Sequence, residues 1–227
     1  MKNKILIFLV LFTTELASCQ NKFDMTKIKD EDFRRYLSLF KEAKLPFFST
    51  YDEASCSGII NDSLVRKFIC KEKKCLKDWS GYDIEFLACF ILPSSGDYII
   101  VIYAESGAEG GSLRKIVTYD YSGNKLGELE ILADKTFHGE SKQGEITSYE
   151  IESIVTQDYV IEKKYFGTEP GWKEGKEYFY YGTHIEYRYK IESSGKIILL
   201  EEKNFGRKKY KGERLETNIF PPFMLAE

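Results

Sequence analysis

Short connections between β-like segments are the feature of this sequence that most restricts its fold. From residue 84 onward, stretches rich in aromatic and β-branched residues are separated by turn-forming stretches, such as PSSGD at 93–97, SGN at 122–124 and SSGK at 193–196. Strands joined by so few residues run antiparallel, because a parallel return needs a crossover of a dozen or more residues. The sequence therefore predicts an antiparallel β-meander sheet. The predicted strands span residues 84–92, 98–104, 113–121, 125–132, 147–155, 159–165, 178–191 and 197–205.

The chain before residue 84 has the apolar spacing of helices instead. Asp30 or Asp32 can cap a first, long helix that runs to about Ala43. Its apolar residues recur at i, i+3, i+4 and i+7 and are Phe33, Tyr36, Leu37 and Phe40. A second, shorter helix is predicted after Asn61, with an apolar side formed by Leu64, Val65, Phe68 and Ile69. The predicted fold class is α+β, mainly β, with one long and one short N-terminal helix in a single globular domain over residues 30–227.

The first residues of the chain have the pattern of an export signal. Lys2 and Lys4 precede an apolar run at 5–12, which is shorter than the roughly 20 residues that a membrane-spanning helix needs. Leu16-Ala17-Ser18-Cys19 then resembles the lipobox of bacterial lipoproteins. The resemblance implies that residues 1–18 are a signal peptide that is removed, and that Cys19 becomes the lipidated first residue. An ordinary signal peptide, with Cys19 as a structural cysteine, is the alternative.

A lipid on Cys19 would also decide where the protein resides and what it contacts. Two acyl chains suffice for stable anchoring, so the membrane is the expected partner and residues 19–29 form a short tether. The expected location is the outer membrane of a bacterium with two membranes. No nucleic-acid partner is expected, because the net charge is −3 and nucleic-acid binding calls for a basic face.

Four further cysteines form an even set in an exported protein, and an even set indicates disulfides. Cys70 and Cys75 enclose four residues and form the favoured pair. For Cys89, which lies in the apolar stretch FLACFIL, a disulfide with Cys56 and a buried free thiol both stay open. A zinc site would need closer C-x-x-C pairs, and the sequence has none.

Motifs for catalysis, metals or cofactors are missing from the sequence. His138 and His184 are the only histidines, and neither an H-E-x-x-H nor a G-x-S-x-G motif occurs. The glycine-rich stretch at 107–112 lacks the Gly-Lys-Ser/Thr ending of a phosphate-binding loop. The sequence therefore predicts no catalytic residue, no metal and no cofactor.

An aromatic cluster near residue 180 is the best candidate for a contact surface. Trp172, Tyr178, Tyr180 and Tyr181 combine flat rings with polar groups that suit a protein or a glycan. The alternative is that these rings pair across strands within the sheet. Tyr180 and Tyr181 are adjacent, so in a regular strand their side chains point to opposite faces. A basic stretch at 203–211 is either a solvated turn or a contact with anionic lipid headgroups.

Two classes of function follow from these observations. The first is a non-enzymatic envelope lipoprotein that recognises a protein or a glycan, including the inhibition of an incoming toxin. The second is a carboxylate-dependent hydrolase of envelope or dietary polymers, which 36 acidic residues always permit. The missing motifs for nucleophile, metal and cofactor favour the first class.

Overall fold

The computed structural model describes residues 24–49, 56–70, 72, 76–77, 81, 83–94, 96–107, 110–136, 148–169, 171–175 and 177–211. Cys19, the predicted signal peptide and residues 212–227 lie outside this part of the chain. Strand accounts for 59% and helix for 13%, so the prediction of a mainly β protein is confirmed. None of the helices in the described part has the length and apolar character that a membrane span requires.

The described part contains two short helices, three short strands between them and nine further strands after the second helix. Helix α1 is Glu31–Leu37, preceded by a 3-10 turn at Met25–Lys27, and α2 is Asp62–Leu64, continued by a π-helical turn at Val65–Ile69. The strands are β1 (Lys41–Glu42), β2 (Phe47–Phe48), β3 (Gly58–Ile59), β4 (Glu85–Leu92), β5 (Ile99–Gly107), β6 (Gly110–Tyr119), β7 (Lys125–Thr136), β8 (Ser148–Val155), β9 (Val160–Thr168), β10 (Trp172–Glu174), β11 (Glu177–Ile191) and β12 (Ile197–Lys211).

The first helix begins where the sequence predicts and ends earlier. The Asp30 side chain accepts a hydrogen bond from the backbone N–H of Phe33 at 3.0 Å, which caps α1. The helix ends at Leu37, so the predicted long helix to Ala43 is wrong. The chain instead enters β1, and the backbone N–H of Ala43 donates to the carbonyl of Ile91 at 3.0 Å. Pairing with β4 satisfies backbone groups that another helical turn would have used.

The second helix follows its capping signal closely. The Asn61 side chain accepts a hydrogen bond from the backbone N–H of Leu64 at 3.1 Å. The four apolar residues predicted for this segment are buried and belong to the same core cluster as Phe33 and Tyr36. Both helices are short, and both contribute side chains to this cluster.

The sheet is mixed because one short strand, β1, pairs parallel while the long strands pair antiparallel. Strands β4 to β9 each pair antiparallel with the next strand, β9 then pairs with β11, and both β10 and β12 pair with β11. β1, however, lies parallel to β4. The long segment between them contains α2 and gives the chain the length that a parallel return requires. The predicted antiparallel meander is therefore not confirmed for the sheet as a whole.

Strand β5 is buried on both faces along residues 99–104. Ile99 and Val101 pack against the helices, whereas Ile100 and Ile102 belong to a second cluster. That cluster also contains Ile161 from β9, at some distance across the sheet. Side chains alternate between faces along a strand, so one face of β5 meets the helices while the coiled sheet closes over the other.

A disulfide ties β4 to the segment before β3. Cys56 is bonded to Cys89, which settles the alternatives for Cys89 in favour of this pairing and against a free thiol. Cys70 is also disulfide-bonded. Cys75 lies outside the described residues, so the Cys70–Cys75 pairing stays a prediction.

Candidate functional site

The aromatic residues named by the sequence lie on strands β10 and β11 and next to β12. Trp172 of β10 is directly opposite Phe179 of β11, and Tyr181 is opposite Lys209 of β12. Phe179 and Tyr181 are two positions apart, so they share a face of β11. Three strands therefore bring their side chains together on one surface.

Three rings and two cations form this surface. The Trp172 ring centroid lies 5.0 Å from that of Tyr181 and 6.1 Å from that of Phe179. The Arg207 guanidinium carbon is 3.4 Å from the Tyr181 centroid, and Lys209 Nζ is 3.9 Å from the Phe179 centroid. Cations at these distances are attracted to the ring faces. We call these five residues the ring–cation surface.

Carboxylates hold both cations in place. Glu169, whose side chain is only 8% exposed, accepts hydrogen bonds from Arg207 Nε at 2.5 Å and Nη2 at 2.6 Å. Glu174 accepts from Trp172 Nε1 at 2.9 Å and from Lys209 Nζ at 3.0 Å. These two interactions lower the pKa of Glu174, with the bond from Trp172 the larger cause. The two carboxylates thus position the Trp172 ring and both cations, and their negative charges offset those of Arg207 and Lys209.

The structure brings together only part of the predicted contact set. Trp172 and Tyr181 belong to the ring–cation surface, whereas Tyr180 is 9% exposed and stacks on Tyr210 at 5.3 Å between ring centroids. Tyr180 is therefore mostly buried by packing and is not part of the ring–cation surface, and its predicted contact role stays a prediction. Adjacent strand residues face opposite ways, and that rule separates it from Tyr181. The side chain of Tyr178 lies outside the described part of the structure.

The sequence places Phe179 in the aromatic run 178–181 without singling it out, and it does not place Arg207 and Lys209 on this surface. Phe179 could have been found from its position two residues before Tyr181. The two cations carry no such signal, because only the register of β12 against β11 places them over the rings. The sequence indicates a solvated turn or a lipid contact for the stretch 203–211, whereas the structure shows that it is part of strand β12.

His184, the histidine within the described part of the chain, packs against an aromatic ring and a carboxylate. His184 stacks on Phe205 at 4.7 Å between ring centroids, and its Nε2 is 3.6 Å from Glu186. Burial, the largest cause, lowers the pKa of His184. Among the described residues, no group of three or more His, Cys, Asp or Glu side chains could hold a metal ion. His138 lies outside those residues.

A second polar cluster lies where β5, β6 and β7 run side by side. Lys115 Nζ is 2.7 Å from Glu105 and 3.5 Å from Glu128, and the Tyr103 hydroxyl donates to Glu128 at 3.2 Å. Burial acts to raise the pKa of Glu128. The hydrogen bond from Lys125, the charges of Lys125 and Lys115 and the Tyr103 hydroxyl outweigh burial, so this pKa is below its ordinary value. The Glu128 carboxylate is thus stabilised in the charged form expected of an ion network.

Comparisons with known proteins add no family. No family model, no curated protein and no solved structure matches this chain.

Proposed function

We propose that this chain is a cell-envelope lipoprotein that binds a protein or a glycan and catalyses no reaction. The lipobox-like residues 16–19 support the lipid anchor. The bond between Cys56 and Cys89 supports export, because disulfides persist mainly in oxidising compartments. The outer membrane of a bacterium with two membranes is the proposed location.

The ring–cation surface carries the binding proposal. Tryptophan, tyrosine and arginine are enriched among the residues that dominate binding energy at interfaces. Here Trp172, Tyr181 and Arg207 lie in a single cluster. The Trp172 and Tyr181 side chains are partly exposed. Glu169 and Glu174 hold the cations against the rings, so a partner would meet side chains that have little conformational entropy left to lose.

A pull-down from an envelope extract tests the binding proposal. The double variant Trp172→Ala/Tyr181→Ala should lose a partner that the wild type retains. Tyr187→Ala is the matched control, because Tyr187 lies on the same strand outside the ring–cation surface. Its ring stacks on that of Tyr189, with 5.9 Å between the two centroids. A partner that both variants retain would exclude the ring–cation surface as the contact, and an array of glycans replaces the extract when the ligand is a sugar.

The lipid anchor has its own test. Radiolabelled palmitate supplied to cells should enter the wild-type protein and not Cys19→Ala, because Cys19 is the proposed acceptor of the lipid. Labelling of both proteins would contradict the anchor and leave the binding proposal standing.

The alternative, a carboxylate-dependent hydrolase, would need a general acid such as Glu152, whose pKa is raised chiefly by burial. A general acid in glycoside cleavage needs a raised pKa so that it holds its proton at neutral pH. Glu105 and Glu128 both contact Lys115, and the pKa of Glu128 is lowered. Polymer turnover that Glu152→Gln abolishes would favour the hydrolase.

A further inference from the structure

Several turns meet at one end of the molecule. The Thr118 hydroxyl, at the end of β6, donates to the carbonyl of Gly195 in the β11–β12 turn at 2.6 Å. Gly96, in the β4–β5 connection, lies so close to Ser193 that an added Cβ would be 2.9 Å from its carbonyl oxygen. We call this end, with the β6–β7 turn at 120–124 beside it, the turn end.

The described chain also starts at the turn end. The backbone N–H of Asp24 donates to the hydroxyl of Tyr121, in the β6–β7 turn, at 3.3 Å. Lys27 Nζ contacts the Asp97 carboxylate at 3.0 Å and lies 5.1 Å from the centroid of the Tyr121 ring. Three contacts therefore fix the start of the described chain beside the β4–β5 and β6–β7 turns, so residues 24–29 of the predicted tether belong to the fold.

The distance from the lipid to this point is limited by chain length. Five residue steps lead from Cys19 to Asp24. Even a fully extended chain spans at most about 18 Å over five residues. A lipid on Cys19 would thus hold the turn end close to the bilayer surface.

The ring–cation surface lies at the other end of the hairpin formed by β11 and β12. Tyr181 is ten residues before Ile191, at which β11 reaches the turn end. Ten strand residues rise about 33 Å. The surface is thus about one strand length away from the point where the chain leaves for the membrane.

We propose that the protein stands on its membrane by the turn end and presents the ring–cation surface away from the bilayer. This inference rests on the proposed lipid anchor at Cys19. The partner is then a macromolecule of the aqueous compartment or of a facing surface, and not the headgroups of the anchoring membrane.

Electrostatics does not oppose this orientation. The attraction of surface charges is largely screened beyond about 10 Å at 0.1 M salt, which is well short of the distance along β11. The basic residues of the 203–211 stretch are also largely neutralised by ion pairs. The pairs are Lys203 with Glu201, Arg207 with Glu169, Lys209 with Glu174, and Lys211 with Glu177. Contact with anionic lipid, considered from sequence, is therefore not part of the proposal.

Energy transfer to a labelled membrane tests the orientation. The lipidated full chain is reconstituted into vesicles of phosphatidylethanolamine and phosphatidylglycerol that contain an acceptor-labelled lipid. A donor dye is attached through an azide-bearing amino acid at Ser122 in one sample and at Lys208 in another, because both positions are exposed. Transfer should be higher from position 122 than from position 208. Equal or reversed efficiencies would overturn the orientation.

Flotation of the same vesicles separates the two proposals. Wild-type protein should float with the vesicles and Cys19→Ala should not. If the wild type does not float, the anchor and the orientation both fail, whereas floating protein with reversed transfer removes the orientation alone. Neither measurement uses the binding partner, so the pull-down judges the binding proposal independently.

Discussion

Two glycines of the β11–β12 hairpin provide a test of how its turn packs. Gly195 and Gly206 both have a positive φ, of +80° and +76°. Alanine at either position should lower the free energy of unfolding by a similar amount, about 1–2 kcal/mol, because a side chain disfavours left-handed backbone. The surroundings differ: an added Cβ at Gly195 would lie 2.6 Å from Leu126 Cδ1 and 3.0 Å from Tyr98 Cβ, whereas nothing lies within 4 Å at Gly206.

The difference between the two alanine variants therefore reports packing alone. Leu126 Cδ1 is the end of a flexible side chain and can move, but the Tyr98 Cβ is attached to the backbone of a fully buried residue. Overpacking of this kind typically costs about 1–3 kcal/mol. We expect Gly195→Ala to lower the free energy of unfolding by about 2 kcal/mol more than Gly206→Ala does.

Equilibrium urea unfolding of residues 20–227, followed by circular dichroism, measures both costs. Gly195→Ala should unfold at a clearly lower urea concentration than Gly206→Ala, with a similar dependence on urea. Equal midpoints would mean that the β11–β12 turn does not pack against Tyr98. That result would also contradict the packing of this turn at the turn end.

Three further predictions concern the core, the disulfide and a buried phenol. Phe33→Ala should lower the free energy of unfolding by about 3–5 kcal/mol because Phe33 is fully buried, while Lys41→Ala, at an exposed position, should lower it little. Equal urea midpoints for the two variants would contradict the packing of α1. Replacing Cys56 and Cys89 by alanine should lower the free energy of unfolding by about 4 kcal/mol, because the disulfide closes a loop of 33 residues in the unfolded chain. Urea unfolding without reductant measures this loss. Burial raises the pKa of Tyr119 above 10.0, so the folded state keeps a proton that the unfolded chain loses. Stability should thus fall as pH rises above 10.0, less steeply for Tyr119→Phe, and parallel pH profiles would refute this assignment.

Local chemistry determined much of the fold in advance. Short turns and alternating β-branched residues predict the strands from residue 84 onward because both signals act between near neighbours. Asp30 and Asn61 predict the helix starts for the same reason, since a cap contacts a backbone N–H only three residues away. The separation of Tyr180 from Tyr181 likewise follows from strand geometry alone.

Only the tertiary structure decided the features that depend on distant contacts. The end of α1 and the parallel pairing of β1 depend on β4, more than forty residues away in the chain. The bond between Cys56 and Cys89 requires β3 to lie against β4. Arg207 and Lys209 reach the rings through the register of β12 on β11, and register is set by the whole sheet and its bulges. Periodicity in a sequence says which face a residue occupies, but not which distant residue it will meet there.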